Sequence, residues 1–283
     1  MDARILIVDD DPDIHELLRL CLKETRCRVE CVSTGEEALR RLETDSFDLV
    51  LSDVVMPGLD GLELLRRIQE RSPSTPVVVM TAQNTSDNLI RSIRERAYAY
   101  FSKPFSPAAV LEMVTGALET PAGRDDIEVL SGRPGWIALR LRCKMETADR
   151  LVRFFREIQF DLPPDEQADI GMAFRELLIN AIEHGGKLDP EEKVEVACIR
   201  LSSAILYYVR DPGNGFSFDN LAHAAVANSP NDPVSHVAVR QAAGMRPGGF
   251  GILITRNIAD EVVYNEKGNE VLLLKYTLPN RGD

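Results

Sequence analysis

Residues 48–61 read DLVLSDVVMPGLDG. A short apolar run, Asp48–Leu51, leads to an aspartate at position 53. A Pro–Gly turn follows, and from Gly61 to Arg71 the apolar residues fall at helical spacing. The same cadence recurs on both sides. Upstream, Arg4–Val8 (RILIV) is a β-branched strand run, residues 12–24 place Ile14, Leu17, Leu18, Cys21 and Leu22 on one helical face, Val29–Val32 is strand and 35–44 helix. Downstream come strand Pro76–Met80, helix 85–95, strand Tyr98–Phe101 and helix 107–118. Five strand–helix units at this pitch predict an α/β doubly wound, five-stranded parallel sheet with helices on both faces. In such sheets the ligand site lies at the C-terminal ends of the strands.

Beyond residue 118 the order changes. Residues 119–126 (ETPAGRDD) carry Pro, Gly and charges and read as a linker. Two strands, Ile127–Leu130 and Trp136–Leu141, precede helical stretches at about 146–160 and 164–184. An antiparallel pair, Val194–Leu201 and Ala204–Val209, comes next. A long polar stretch reaches Gly248, and helix 250–260 and strands Glu261–Tyr264 and Glu270–Thr277 close the chain. Helices grouped against a mixed or antiparallel sheet predict an α+β two-layer sandwich. Three segments result: 1–118, a linker at 119–126, and 127–283.

The 283 residues suit two domains at about 150 residues each. With 33 Lys and Arg against 45 Asp and Glu, the net charge of −12 argues against nucleic acid or an anionic membrane as partner. No apolar run approaches the ~20 residues of a membrane helix, and MDARILIVDDDPD lacks the pattern of an export signal. A cytoplasmic location is expected. The five cysteines include no C-x-x-C pair and read as free thiols.

Acidic positions gather at the strand ends of the first segment. Asp9 and Asp10 follow its first strand and Asp53 its third. Clustered carboxylates repel one another unless a cation sits among them, and hard oxygen ligands suit Mg²⁺. Thr81 follows the fourth strand, and Lys103 the fifth in a K-P-F segment whose Lys–Pro bond is a candidate for the cis form. A carboxylate, a divalent metal, a hydroxyl and an ammonium around one point can stabilise a transferring phosphoryl group. Asp11, Asp13 and Asp60 read as solvated or helix-capping residues.

These elements (VDDD at 8–11, SDVVMPGLDG at 52–61, MTA at 80–82, YFSKPF at 100–105) closely resemble the receiver domain of two-component response regulators over about residues 1–118. The resemblance implies that Asp53 accepts a phosphoryl group from a sensor histidine kinase. It implies that Asp9, Asp10, Asp53 and the Val55 carbonyl hold Mg²⁺, that Thr81 and Lys103 contact the phosphoryl group, and that Thr81 and Tyr100 form the switch. Arg96 departs from the pattern, standing where an A-G-A turn would have Gly.

The second segment carries three further elements. ELLINAIEHGG at 176–186 follows a helical stripe of Ile170, Phe174, Leu177, Leu178 and Ala181, and Glu176 and Asn180 stack along one edge of it. Such a carboxylate and amide can orient a hydroxyl or water and a metal. DPGNGF at 211–216 follows a strand; its glycines permit close backbone approach, and its Asp can accept from an exocyclic amine. RPGGFGI at 246–252 runs glycines into a helix start, whose N–H groups suit phosphate.

In this order the elements resemble the GHKL-type ATP-binding fold over about residues 126–279. The stretches NAIEHG and GILITRNIADEVVY are most similar to its anti-sigma-factor serine kinases. The resemblance implies that Asn180 binds the Mg²⁺ of Mg·ATP and that Asp211 reads the adenine amino group. Gly213, Gly215, Gly248, Gly249 and Gly251 would shape the pocket and phosphate loop. Arg246 would approach the γ-phosphate, Glu176 would be the general base on a substrate hydroxyl, and Phe216–Arg246 would be the ATP lid. His184 reads as a packed or capping residue near the helix end and His223 and His236 as incidental, and none of the four histidines sits on a dimerisation hairpin, which disfavours a histidine kinase. The resulting expectation is a response regulator whose phosphorylation at Asp53 controls an ATP-dependent serine/threonine kinase acting on a STAS-type anti-sigma-factor antagonist. A sigma factor is a further candidate partner, and homodimerisation stays open. The alternative is a non-catalytic ATP-binding module that sequesters a sigma factor or antagonist.

Overall fold

The computed structural model describes residues 3–83, 85–119, 126–133, 135–158, 162–215 and 251–277. The chain forms two compact units, Met1–Asp126 and Ile127–Asp283.

In the first unit, strands β1 (Arg4–Val8), β2 (Arg28–Val32), β3 (Leu49–Asp53), β4 (Val77–Thr81) and β5 (Ala99–Ser102) form one sheet in the order β2-β1-β3-β4-β5. Every neighbouring pair is parallel. The intervening helices are α1 (Pro12–Leu22), α2 (Gly35–Thr44), α3 (Gly61–Arg71), α4 (Ser86–Arg94) and α5 (Pro107–Glu119). On one face Leu18 and Leu22 of α1 and Val110, Met113 and Val114 of α5 pack on Ile5, Ile7, Leu51, Val78 and Met80. Burying each such side chain stabilises the fold by about 1.5–3 kcal/mol. Central strands β3 and β4 are buried along their whole length, which is why they are continuous apolar runs without alternation.

Each of the first four helices starts on a side-chain cap. Asp11, Thr34, Asp60 and Thr85 accept hydrogen bonds from the N–H groups of Asp13, Glu37, Glu63 and Asn88. The end of α4 settles the question raised by Arg96. Ala97 N–H donates to Ser92 O at 2.8 Å and Arg96 N–H to Ile93 O at 3.1 Å, with Arg96 at φ 62°. This is a Schellman turn with arginine in the left-handed position that glycine usually takes. The turn closes regardless, at a cost of about 1–2 kcal/mol.

In the second unit, β6 (Ile127–Arg133), β7 (Trp136–Arg142), β8 (Lys193–Arg200), β9 (Ala204–Arg210), β10 (Glu261–Tyr264) and β11 (Glu270–Tyr276) form an antiparallel sheet in the order β10-β11-β9-β8-β7-β6. Helices α6 (Met145–Arg156) and α7 (Pro164–Asn180) cover one face, where the Phe155 and Phe174 rings contact Tyr207 at centroid distances of 6.1 and 4.7 Å. Helix α8 (Gly251–Ile258) packs beside α7.

Three boundaries differ by three residues or more from the sequence reading, and the first is that of β6, expected to end at Leu130 and running to Arg133. The helix expected to 184 is α-helical only to Asn180 and then widens into a π turn, Ala181–Gly185. Lys187 and Leu188 follow in the left-handed region, at φ 54° and 56°. The helix expected to 160 ends at Arg156. Linker residues 120–125, the expected lid at 216–246, and Arg246, Gly248 and Gly249 lie outside the described residues.

Candidate functional site

Three strand ends build the pocket of the first unit. Asp9 follows β1 and is fully buried, Asp53 ends β3 and is nearly so, and Asp10 is exposed. One carboxylate oxygen from each lies within 4.8 Å of the others. Lys103, after β5, bridges two of them: Nζ donates to Asp9 Oδ2 at 2.7 Å and to Asp53 Oδ2 at 2.9 Å. The Lys103–Pro104 bond is cis. Lys103 N–H also donates to Thr81 O at 2.7 Å, tying the end of β5 to the end of β4.

Burial pushes the Asp9 carboxyl upward, and the hydrogen bond and charge of Lys103 only partly reverse this. Burial opposes the charge on Lys103, yet its hydrogen bonds to Asp9 and Asp53 outweigh that and leave its pKa raised. Three carboxylates share one ammonium, so the pocket holds surplus negative charge. Its donors are hard oxygens, half-open to solvent through Asp10, and this set fits Mg²⁺. Asp9, Asp10 and Asp53 would hold the ion. Val55 sits just beyond β3, where its N–H approaches Asp53 Oδ1 at 3.4 Å.

Two residues here had no role in the motif reading, although Gly61 closes the motif at 52–61. Gly61 starts α3 so close to β3 that a Cβ would overlap the Asp53 carbonyl oxygen. Gln83 links the two switch candidates: its N–H donates to Thr81 Oγ1 at 3.0 Å, and its carbonyl accepts from Thr81 Oγ1 and Tyr100 Oη, each at 3.4 Å, and from Asn88 Nδ2 at 3.1 Å. Tyr100 is buried.

In the second unit the structure brings Gly213 and Gly251 to the end of α7. A Cβ built on Gly251 would stand 2.8 Å from Glu176 Oε2 and 3.3 Å from Asn180 Nδ2. The start of α8 therefore lies against the edge that carries both polar side chains. The π turn carries the chain from Asn180 to Gly185, and a Cβ there would collide with the Asp211 carboxylate. Gly213 closes the same corner; its N–H donates to Asp211 Oδ1 at 2.8 Å. Burial raises the Asp211 pKa, while the Gly213 hydrogen bond and the charge of Lys267 work against the rise. Gly215, at φ +77°, passes so close to Lys267 that any side chain would strike its carbonyl oxygen.

The β10–β11 turn holds Asp211 from behind. Asp211 N–H donates to Asn269 O at 3.0 Å, and Asn269 Nδ2 donates to Asp211 O at 3.1 Å. Asn265 Oδ1 in turn accepts from the N–H groups of Gly268 and Asn269. The sequence NEKGNE at 265–270 signals a turn, but not that the turn braces Asp211. Gly185 was likewise visible only as part of a helix end.

Known proteins match both units. Residues 5–115 match the response regulator receiver domain family, and residues 141–275 match the histidine kinase-like ATPase domain family. The chain is 30% identical over 171 residues to the alkaline phosphatase synthesis transcriptional regulatory protein PhoP of Bacillus subtilis, covering 59% of this chain and 69% of PhoP. It belongs to the response-regulator family. Response regulator protein PilR of Pseudomonas aeruginosa is 34% identical over 142 residues, 48% of this chain; the chain spans 32% of PilR. A CheY-like receiver domain protein from Methanospirillum hungatei is 32% identical, with 42% of this chain and 95% of that one covered and a TM-score of 0.41. This response regulator thus couples a receiver domain to a histidine kinase-like ATPase domain. No helix among the described residues is long and apolar enough to cross a membrane.

Proposed function

We propose that phosphorylation of Asp53 controls an ATP-dependent serine/threonine kinase in the second unit. In the receiver, a sensor histidine kinase supplies the phosphoryl group. An Asp53 carboxylate oxygen attacks phosphorus, the P–N bond to the donor histidine breaks, and the histidine keeps the electron pair. Lys103 lies within 2.9 Å of that carboxylate and neutralises charge on the incoming group. Mg²⁺, which Asp9, Asp10 and Asp53 would hold, would supply further neutralisation of charge on the phosphoryl group. Thr81 and Tyr100, joined through Gln83, report the change.

In the second unit Asp211 accepts from the adenine amine, Gly213 and Gly215 let the nucleotide approach the backbone, and Asn180 holds the Mg²⁺ of Mg·ATP. Glu176 takes the proton of a serine hydroxyl as its oxygen attacks the γ-phosphorus, and ADP leaves. Arg246, Gly248 and Gly249 complete the phosphate side of this reading. The substrate is a STAS-type anti-sigma-factor antagonist, the wider partner set includes a sigma factor, and the setting is cytoplasmic. The observation that supports the kinase reading is the close approach of Gly251 to Glu176, where an added Cβ would stand 2.8 Å from Oε2; the proposed base lies beside the glycine-led start of α8.

Glu176→Gln separates catalysis from binding. ATP affinity by calorimetry should stay within a few-fold of wild type, while transfer of γ-phosphate to an antagonist protein falls by about 10²–10⁴-fold. Transfer at the wild-type rate refutes the catalytic assignment. ATP binding without transfer by the wild-type protein, whatever antagonist is offered, favours the sequestering module.

A further inference from the structure

Between β3 and α3 the chain loops away from Asp53 through residues 55–60. Both feet of this loop are fixed to the sheet. Val54 N–H donates to Met80 O at 2.9 Å, and Gly61 N–H returns to Val54 O at 3.0 Å. The apex is fixed elsewhere, on the first turn of α2, where Glu36 Oε1 accepts from Leu59 N–H at 3.0 Å. The two segments meet closely. A Cβ on Gly35 would stand 2.8 Å from the Leu59 carbonyl oxygen, and one on Gly58 would stand 2.7 Å from Glu36 Oε1. Gly58 is also at φ +80°, where a side chain is strained. The start of α2 reaches the other side of the pocket as well. Its cap, Thr34, stands two residues beyond Val32, and Val32 O accepts from Asp9 N–H at 3.1 Å. One helix start is thus joined to both segments that would supply oxygen ligands, Asp9–Asp10 after β1 and Val55 after β3.

We infer that Glu36 is a positioning residue for Mg²⁺ in the receiver. Its carboxylate bonds the Leu59 amide, not a metal ligand. By holding the loop apex against α2 it sets where the Val55 carbonyl stands relative to the Asp9 and Asp10 carboxylates. Val55 itself is 49% exposed, so its own side chain does little to fix that carbonyl. Mg²⁺ demands near-ideal octahedral geometry and is sensitive to such placement. Groups that orient a ligand without touching the metal typically change affinity by about 10–100-fold when removed. The inference rests on the reading of Val55 as a ligand and identifies what makes its carbonyl available. It is the oxygen of Glu36, at its particular reach, that matters here, and not its charge.

Two conservative substitutions separate reach from charge. Glu36→Asp keeps the charge at the helix start but shortens the side chain by one methylene, which withdraws the acceptor from Leu59. Glu36→Gln loses the charge but keeps an oxygen at the same reach. Glu36 is exposed, so neither change disturbs the core. Mn²⁺ is the probe, since it takes the same hard oxygen ligands and its free fraction is counted by electron paramagnetic resonance. The full chain is titrated without nucleotide, and the binding that Asp10→Ala abolishes is assigned to the receiver. Glu36→Asp should raise the Mn²⁺ dissociation constant about 10-fold, whereas Glu36→Gln should stay within about twofold of wild type. In metal-free protein, peptides covering 54–61 should exchange amide hydrogens faster in Glu36→Asp than in wild type or Glu36→Gln. A loss in Glu36→Gln as large as that in Glu36→Asp makes charge the cause and overturns the inference. Wild-type affinity or wild-type exchange in Glu36→Asp overturns it too, because the apex then stands without Glu36. Undiminished Mn²⁺ binding by Asp10→Ala is a separate outcome: it overturns the metal reading of the pocket, and the inference with it.

Discussion

Replacing Lys103 with methionine tests how far the receiver pocket depends on its one ammonium. Lys103 Nζ stands 2.7 Å from Asp9 Oδ2 and 2.9 Å from Asp53 Oδ2, with side-chain exposures of 12%, 0% and 10%. At an effective dielectric of ~20, each contact carries about 6 kcal/mol of Coulomb attraction, offset by desolvation. Breaking such buried pairs costs about 3–5 kcal/mol overall, since the carboxylates stay behind unneutralised. A loss of about 3 kcal/mol lowers the urea midpoint of the receiver by roughly 1–2 M. The raised Lys103 pKa keeps its contribution whole at neutral pH, to be lost only as pH rises through that elevated value. The Asp9 pKa is raised as well, so its protonation favours the fold: stability from this group is present below about 4 and fades as pH climbs through the raised value. Without Lys103 that window extends upward, and the deficit of the variant should shrink as pH falls toward 4. Hydrogen exchange in urea and EDTA, read on peptides from β3 and β5, isolates the receiver from the second unit. Added Mg²⁺ should return most of the lost stability, because a cation again separates the carboxylates. An unchanged midpoint at neutral pH in EDTA, or a deficit that grows on acidification, refutes the reasoning.

Gly61→Ala puts a methyl group into the Asp53 carbonyl; the receiver should lose about 1–3 kcal/mol, and labelling by acetyl phosphate should fall, as autoradiography of the full chain would show. Asp211→Asn presents an N–H₂ group where an acceptor is needed, and calorimetry should find ATP affinity reduced about ten- to a hundredfold; unchanged affinity removes Asp211 from the adenine site. Cys143 and Cys198 are buried, and burial pushes their thiols up to about 11 and about 12, so both should resist a chromogenic disulfide reagent near pH 8 while the half-buried Cys21, Cys27 and Cys31 react; five fast-reacting thiols would contradict the core packing.

The receiver was the more legible half. Its strands are short apolar runs bounded by turn residues, so the ends of β1, β3 and β4 fall within two residues of the pattern, and the reactive side chains sit at those ends by construction. Their strand-end positions put Lys103 and Asp9 in one pocket, but the bond between them, across 94 residues, shows only in three dimensions. Gln83 was invisible for another reason: its contribution to the Thr81–Tyr100 link is made by backbone N–H and C=O groups, which every residue carries. In the second unit, Glu176 and Asn180 followed from helical spacing. The π turn after them did not, since an i→i+4 pattern cannot show where one extra residue enters a turn. Gly185 and Asn269 brace Asp211 from positions whose neighbours in sequence suggest a helix end and a hairpin turn. Their use is set by packing between distant segments, which local propensity does not encode.

The Gln83 carbonyl oxygen has two lone pairs and three donors within reach: Thr81, Asn88 and Tyr100. That acceptor is oversubscribed. The two hydroxyl donors stand at 3.4 Å, so neither holds it firmly, and a gain by one is a vacancy for the other. If a phosphoryl group on Asp53 takes the Thr81 hydroxyl, a place at the oxygen opens for Tyr100 without any element of the sheet having to move. The exchange runs equally in reverse: a partner that draws Tyr100 toward Gln83 would release Thr81 and tighten the pocket's hold on its phosphoryl group by the same factor. Communication across this corner of the receiver is then a matter of queueing at one atom.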